Sequence, residues 1–440
     1  MGDGVTYCPR RGLTAELTIL VMILGITATR LKAQQEEGRI ATAEEVQEVT
    51  RPAALAPLRV LSYPHRKITS AMERGLVTFE QKKVREKLNL LLERWRNRGL
   101  TPKFGGMGEG SGFGGGLIYE LRPVENHSLQ TMALITISNY QELEARWSSL
   151  LPASRFFLEA SYQWRPQENY YGQGHDSSAG NHTSFALRQS WTGLRFEVTP
   201  KKRFRLGILS RWEWLSASQG RNGLLPAITS FFPNPIGYNR ETRLNSSGAY
   251  IDLDGLREEY QLGGAAHVGA SYQRSFGGGH LRYVALDMQL EGRTPIKTGN
   301  SVLVGQANFQ MNRERGASDP IPFYLQPRIG GSTTLRGYPL DRFYGRSLAL
   351  LTLEYRIRVH PNIQFYPMFD EGQIFDRTSD LSWLNWHRTY GCGFRLRSVR
   401  GTFLRIELGW GGEGTQVHVV FGDREQPPLR SAVRYGAYNR

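Results

Sequence analysis

From residue 101 onward, apolar positions recur with a period of two. In the stretch 155–165, Phe156, Leu158, Ala160, Tyr162 and Trp164 share one face. Arg155, Glu159, Ser161, Gln163 and Arg165 share the other, with Phe157. Phe204, Leu206, Ile208, Trp212 and Trp214 alternate in the same way with Arg203, Arg205, Arg211 and Glu213. Leu404, Ile406, Leu408 and Trp410 lie opposite Arg405 and Glu407. This pattern predicts half-polar β-strands. Sixteen are expected, starting near residues 101, 111, 128, 140, 154, 183, 202, 247, 262, 280, 300, 347, 362, 388, 402 and 415.

The connections alternate in length. Those after odd-numbered strands include 166–182, 218–246, 313–346 and 374–387, whereas Pro200-Lys201 and His360-Pro361 mark short turns after even-numbered strands. Long loops at one end and short turns at the other are the pattern of a transmembrane barrel. A soluble sandwich would hide its apolar faces inside, but faces ending in Trp and Tyr fit interfacial girdles. Arg or Lys facing hydrocarbon at mid-membrane would cost ~2–4 kcal/mol each, so the charged faces are expected to line a polar lumen. An all-β fold follows: a 16-stranded antiparallel transmembrane β-barrel over residues 100–422.

Before the barrel the periodicity differs. Residues 1–33 read as a signal peptide, with Arg10 and Arg11 ahead of an apolar run over 17–26. Residues 34–99 read as a periplasmic linker, punctuated by Pro52, Pro57 and Pro64. An amphipathic helix is expected over 79–98, capped by Thr78 and ended by Gly99, with Val84, Leu88, Leu91, Leu92 and Trp95 on one face. Residues 423–440 form a basic C-terminal tail.

Composition supports the barrel. The chain has 49 Gly and 11% aromatics, its mean hydropathy is −0.43, and no apolar run reaches the ~20 residues of a membrane helix. Net charge is +15, but the arginines are scattered along strand faces rather than gathered into a nucleic-acid footprint. A charged lumen and contacts with anionic lipid explain them more simply. The cysteines, Cys8 and Cys392, suggest neither a disulfide nor a metal site.

One long stretch breaks the alternation. Residues 329–346 carry Gly330, Gly331, Gly337 and Gly345, with Pro339 and the aromatics Tyr338, Phe343 and Tyr344. A loop this long inside a strand-rich chain is functional or disordered, and it holds too many aromatics for disorder. The sequence Gly330-Gly331-x-x-x-Leu335-Arg336-Gly337-Tyr338, then Arg342-Phe343-x-Gly345 and Leu353-Glu354-Tyr355-Arg356, resembles the bacterial surface antigen family. These are BamA/TamA-like outer-membrane barrels, with two-partner-secretion transporters as relatives. The resemblance implies that the loop folds back into the lumen. It also implies that Arg336 meets an acidic residue in a Phe/Gly-x-Asp-x-Gly motif, here Met368-Phe369-Asp370-Glu371-Gly372. Alternation alone directs Asp370, Gly372, Glu354 and Arg356 inward. Family relatives usually carry POTRA modules before the barrel, and residues 34–99 do not read as one.

A second glycine-rich stretch, 105–116, matches Gly-x-Gly-x-x-Gly without the flanking βαβ context of a dinucleotide site. Gly112, Gly114, Gly115 and Gly116 are instead expected beside a closing seam with Val417, Val419 and Phe421 of the last strand. Glycines weaken pairing or turn a barrel corner. The resemblance implies a seam that opens sideways. Hydrolase, zinc-protease and Walker signatures are missing from the sequence, so no enzyme and no cofactor is expected. The expected function is assistance of protein insertion, assembly or translocation at the bacterial outer membrane. The alternative is a stand-alone pore or structural barrel. Expected partners are outer-membrane lipid, lipopolysaccharide and unfolded client barrels, with no nucleic acid.

Overall fold

The computed structural model describes residues 93–421, apart from 222–224, 257–258, 298, 383–384 and 399–400. The expected signal, most of the linker and helix, and the C-terminal tail lie outside the described residues. Residues 93–97 are helical, and Gly99 follows with a φ of +77° while its N–H donates to the carbonyl of Arg96.

The barrel opens with β1 (Leu100–Gly105), β2 (Gly114–Val124), β3 (His127–Thr136), β4 (Gln141–Leu151), β5 (Ser154–Tyr170) and β6 (Thr183–Lys201). It continues through β7 (Phe204–Gln219), β8 (Glu241–Asp254), β9 (Gly263–Ser275), β10 (Arg282–Lys297) and β11 (Ser301–Glu314). A two-residue hairpin, β12 (Arg328–Ile329) with β13 (Phe343–Tyr344), stands inside the next long loop. The barrel resumes with β14 (Ser347–His360), β15 (Ile363–Phe375), β16 (His387–Ser398), β17 (Gly401–Gly411) and β18 (Gly414–Phe421). Leaving out the hairpin, the strands form one 16-stranded sheet in chain order. Each neighbouring pair in that order is antiparallel.

The alternation sorts the side chains as expected. Outward Leu143, Ile208 and Val417 are 53%, 60% and 65% exposed, a surface that lipid would cover and water would penalise. Inward Glu197, Asp252, His267, Asp370 and Glu407 are buried. Two details differ from the expected strands. β8 begins at Glu241 rather than near 247, and β5 runs through Pro166 to Tyr170. A register shift between Arg165 and Glu168 accommodates the proline's missing donor.

The lumen also departs from expectation. At the long-loop end it is apolar: Phe185, Leu187, Leu215, Leu244 and Tyr283 of the wall form one cluster with Ile228, Phe323 and Tyr324 of the loops. The inward positions there face infolded protein rather than water, so apolar side chains are favoured.

Candidate functional site

Residues 315–346 leave β11 and fold into the barrel. Gly330 and Gly331 adopt φ values of +122° and +95°, a turn that side-chain-bearing residues resist. The N–H of Gly331 donates to the Tyr338 carbonyl and that of Tyr338 to the Leu335 carbonyl. Ile329, Leu335, Tyr338 and Phe343 pack with Leu348, Leu350 and Ile374 of the wall. This apolar contact holds the loop tip against β14 and β15.

Arg336 stands at the tip with 3% of its surface exposed. Its Nε and one terminal nitrogen donate to the two carboxylate oxygens of Asp370 at 2.9 and 2.6 Å. The other terminal nitrogen donates to Glu354 at 2.5 Å and Glu407 at 3.0 Å. One planar guanidinium thus ties β14, β15 and β17 together, as its fixed fork of donors permits. The carboxylates have further partners. Arg356 and Arg395 donate to Glu354, Tyr366 donates to Glu407, and Arg405 lies 3.2 Å from Glu407. The Arg336 carbonyl lies 2.8 Å from Nε2 of His418 on β18, and the Gly337 N–H donates to Thr389 of β16.

Glycine makes this approach possible. A Cβ on Gly409 would lie 2.2 Å from the Arg336 carbonyl, and one on Gly337 would lie 2.5 Å from the Gly411 nitrogen. The loop therefore rests on a glycine track along β17. Gly372 lies beneath Ile329 and Leu335. Of the predicted site residues, Gly330, Gly331, Leu335, Arg336, Gly337, Tyr338, Asp370, Gly372 and Glu354 are gathered here. Glu407, Thr389, His418, Gly409 and Gly411 complete the site and were not predicted as part of it. Only the inward face of Glu407 was visible in the alternation.

A second anchor lies further out. Arg342 donates to Glu413 in the turn before β18 and to Ser177 in the β5–β6 loop. Its guanidinium lies over Tyr171 and Phe343 at 4.9 and 4.5 Å. His387 stacks between Phe343 and His175, with ring centroids 4.0 and 3.9 Å away.

The seam is built differently. Among the described residues, no backbone ladder joins β1 to β18. β1 has six residues and contains Pro102, which lacks a donor and suits a sheet edge. Gly112 lies in the β1–β2 connection, while Gly114, Gly115 and Gly116 pair with Gly105, Phe104 and Lys103 of β1. The glycines therefore sit one strand away from β18. Val417, Val419 and Phe421 of β18 face outward and are 65%, 52% and 40% exposed. Contacts cross the gap from the β1–β2 connection. Phe113 meets Phe421 edge-on at 5.9 Å, and Glu109 lies 2.8 Å from His418 while accepting from the Ser332 N–H.

The turn after β8, residues 255–262, is an exception to the short-turn rule. Its Glu259 meets Arg356 and Arg397, and its Tyr260 accepts from Gln364 and packs on Val302 and Val304. Glu259 and Tyr260 thereby occupy the lumen at the short-turn end. Among the described residues, no group of three or more His, Cys, Asp or Glu side chains is arranged to hold a metal ion.

An outward apolar band, a charged lumen and alternating loop lengths define a bacterial outer-membrane β-barrel. Residues 249–422 match the Omp85 superfamily domain. BamA from Haemophilus ducreyi lacking POTRA domains 1-3 has the same fold, with a TM-score of 0.55 at 12% identity over 74% of this chain and 69% of that one. CdiB from Escherichia coli is similar over 73% of this chain and 62% of its own, at 12% identity and a TM-score of 0.48. CdiB from Acinetobacter baumannii shows 12% identity and a TM-score of 0.46 over 73% of this chain and 59% of its own. No curated protein matches the chain.

Proposed function

We propose that this barrel assists the insertion, assembly or translocation of other proteins at the outer membrane, and that it works without a catalytic step. The observation that carries the reading is the asymmetry of the seam. Arg336 braces β14, β15 and β17, while β1 meets β18 without a ladder among the described residues. Sideways opening would break a few side-chain contacts and leave the braced wall intact. An unpaired strand edge in a membrane is a template for an incoming strand. The client is then an unfolded outer-membrane protein whose edge strand pairs at the seam. Residues 315–346, with Glu259 and Tyr260 at the short-turn end, disfavour the alternative of an open pore.

The test is client folding in liposomes. Wild-type protein is expected to speed folding of an unfolded barrel beyond empty liposomes. A short thiol cross-link between Phe113→Cys and Phe421→Cys, in a Cys392→Ser background, is expected to remove that acceleration. Acceleration that survives the cross-link rules out seam opening. No acceleration, with steady ion conductance instead, makes the protein a pore.

A further inference from the structure

The outer surface carries a row of arginines that the lumen network does not use. Arg282 on β10 is the direct register partner of Arg274 on β9. On its other side, the Arg315 N–H donates to the Arg282 carbonyl at 3.0 Å, which extends the same row past the end of β11. Arg313 lies two residues below Arg315 on the same outward face, and all four are exposed. Like charges directly across a sheet repel. Among the described residues, none of the four has a carboxylate within ion-pair distance. Elsewhere on the same rim, Arg388 pairs with Glu371 at 2.8 Å and Arg243 with Glu241 at 2.5 Å.

The height of the row identifies its surroundings. Below Arg282, the outward positions of β10 are Val284, Leu286, Met288, Leu290 and Gly292. On β9, Tyr272, Ala270, Val268 and Ala266 descend from Arg274. An apolar run of ~9–11 residues spans the hydrocarbon layer, so the arginines sit where it ends. Their end of the barrel carries the long loops, which mark the external side.

We propose that Arg274, Arg282 and Arg315 bind the phosphorylated headgroup of a lipid in the outer leaflet. Guanidinium forks match phosphate oxygens bidentately, and a polyanion bridging adjacent strands would cancel the repulsion along the row. Tyr272 would lie against the upper part of the acyl region. The site depends on the outer-membrane placement and not on the insertase reading. The two can therefore fail separately.

The probe is lipopolysaccharide, intact or with its phosphates removed, in phosphatidylethanolamine vesicles holding the full chain. Lipid retained per protein and the unfolding midpoint are both read. Wild-type protein is expected to retain the intact lipid and unfold at a higher temperature with it. Arg282→Gln should weaken retention about fivefold, and Arg274→Gln/Arg282→Gln/Arg315→Gln roughly a hundredfold, on the basis of one such increment per surface arginine. In vesicles without the phosphorylated lipid, the triple variant should unfold at the same temperature as wild type or higher, since repulsion is relieved. Arg388→Gln, a matched rim charge, should retain lipid normally. Equal retention of dephosphorylated lipid, or unchanged retention by the triple variant, overturns the site. Full competition by millimolar inorganic phosphate overturns the lipid as its ligand.

Discussion

The two sides of the seam are held by different means. On one side, the loop tip bonds to β14, β15, β16 and β17 and reaches His418 of β18 through a backbone carbonyl. On the other, β1 is short and contains a proline, no ladder joins it to β18 among the described residues, and Glu109 and Phe113 of its neighbouring connection reach β18. A full ladder would have to break over many residues together, whereas side-chain latches release one at a time. In this barrel the wall beside the gap owes its shape to an infolded loop.

The largest effect is expected from Arg336→Ala. Removing one partner of a buried ion pair costs ~3–5 kcal/mol because the remaining charge stays buried. Asp370, which receives both arms of the fork, would suffer most. The change should lower the heat-modifiability midpoint and expose the loop to protease. Adding Asp370→Asn should recover part of the loss, as a double-mutant cycle would reveal. If Arg336→Ala leaves the midpoint and the loop's protection unchanged, the brace is not what shapes that wall.

Gly409→Val comes next. Its Cβ would meet a backbone carbonyl at 2.2 Å, so the loop itself must shift. Overpacking of this kind costs ~1–3 kcal/mol. The same loop exposure is expected with every Arg336 partner still present. A loop that stays protected would argue against the glycine track.

Glu109→Ala sharpens the contrast from the weak side. It removes the partner of His418 and the acceptor of Ser332, a loss of about 1.5 kcal/mol for hydrogen bonds to a charged group. The seam should open more often while the brace holds. A lower yield of the Phe113→Cys to Phe421→Cys cross-link, with the loop still protease-resistant, would register this. An equal yield would mean that Glu109 does not latch the seam.

The smallest effect concerns pH. Burial holds the His175 imidazole below its usual range. The unfolded chain therefore takes up this proton first as pH falls. The stabilisation is present above the usual imidazole value of ~6.5 and is lost as pH drops through that value toward the lower folded one. The stacked His175–His387 contact should loosen under acid, seen as cleavage within residues 171–182 at mildly acidic pH. His175→Phe should flatten that dependence, and an unchanged acid profile in the variant would remove His175 from the outer anchor.

Much of the barrel was legible in the chain. Period-two alternation located the sixteen strands to within a few residues, except β8, and sorted Asp370 and Glu354 to the inside before any partner was known. The loop motif pointed to Arg336 through its resemblance to a family. Three features were not legible. Glu407 lies 71 residues from Arg336, and alternation states its face but not what stands opposite. Glu259 and Tyr260, which enter the lumen, stand in a connection with no periodicity of its own. The apolar outer lumen contradicts a rule that holds only where water fills the barrel.

Face, strand order and the ends of the apolar band are local properties. They follow from which residues alternate and where turns fall, and the sequence by itself determined them. Which inward carboxylates converge on one guanidinium depends on the tilt and stagger of strands around a nearly closed sheet, and on how deeply a loop of some thirty residues settles among them. Those are long-range packing terms. Only the tertiary structure decided that Arg336 would brace β14, β15 and β17, while among the described residues no ladder closes the seam beside them.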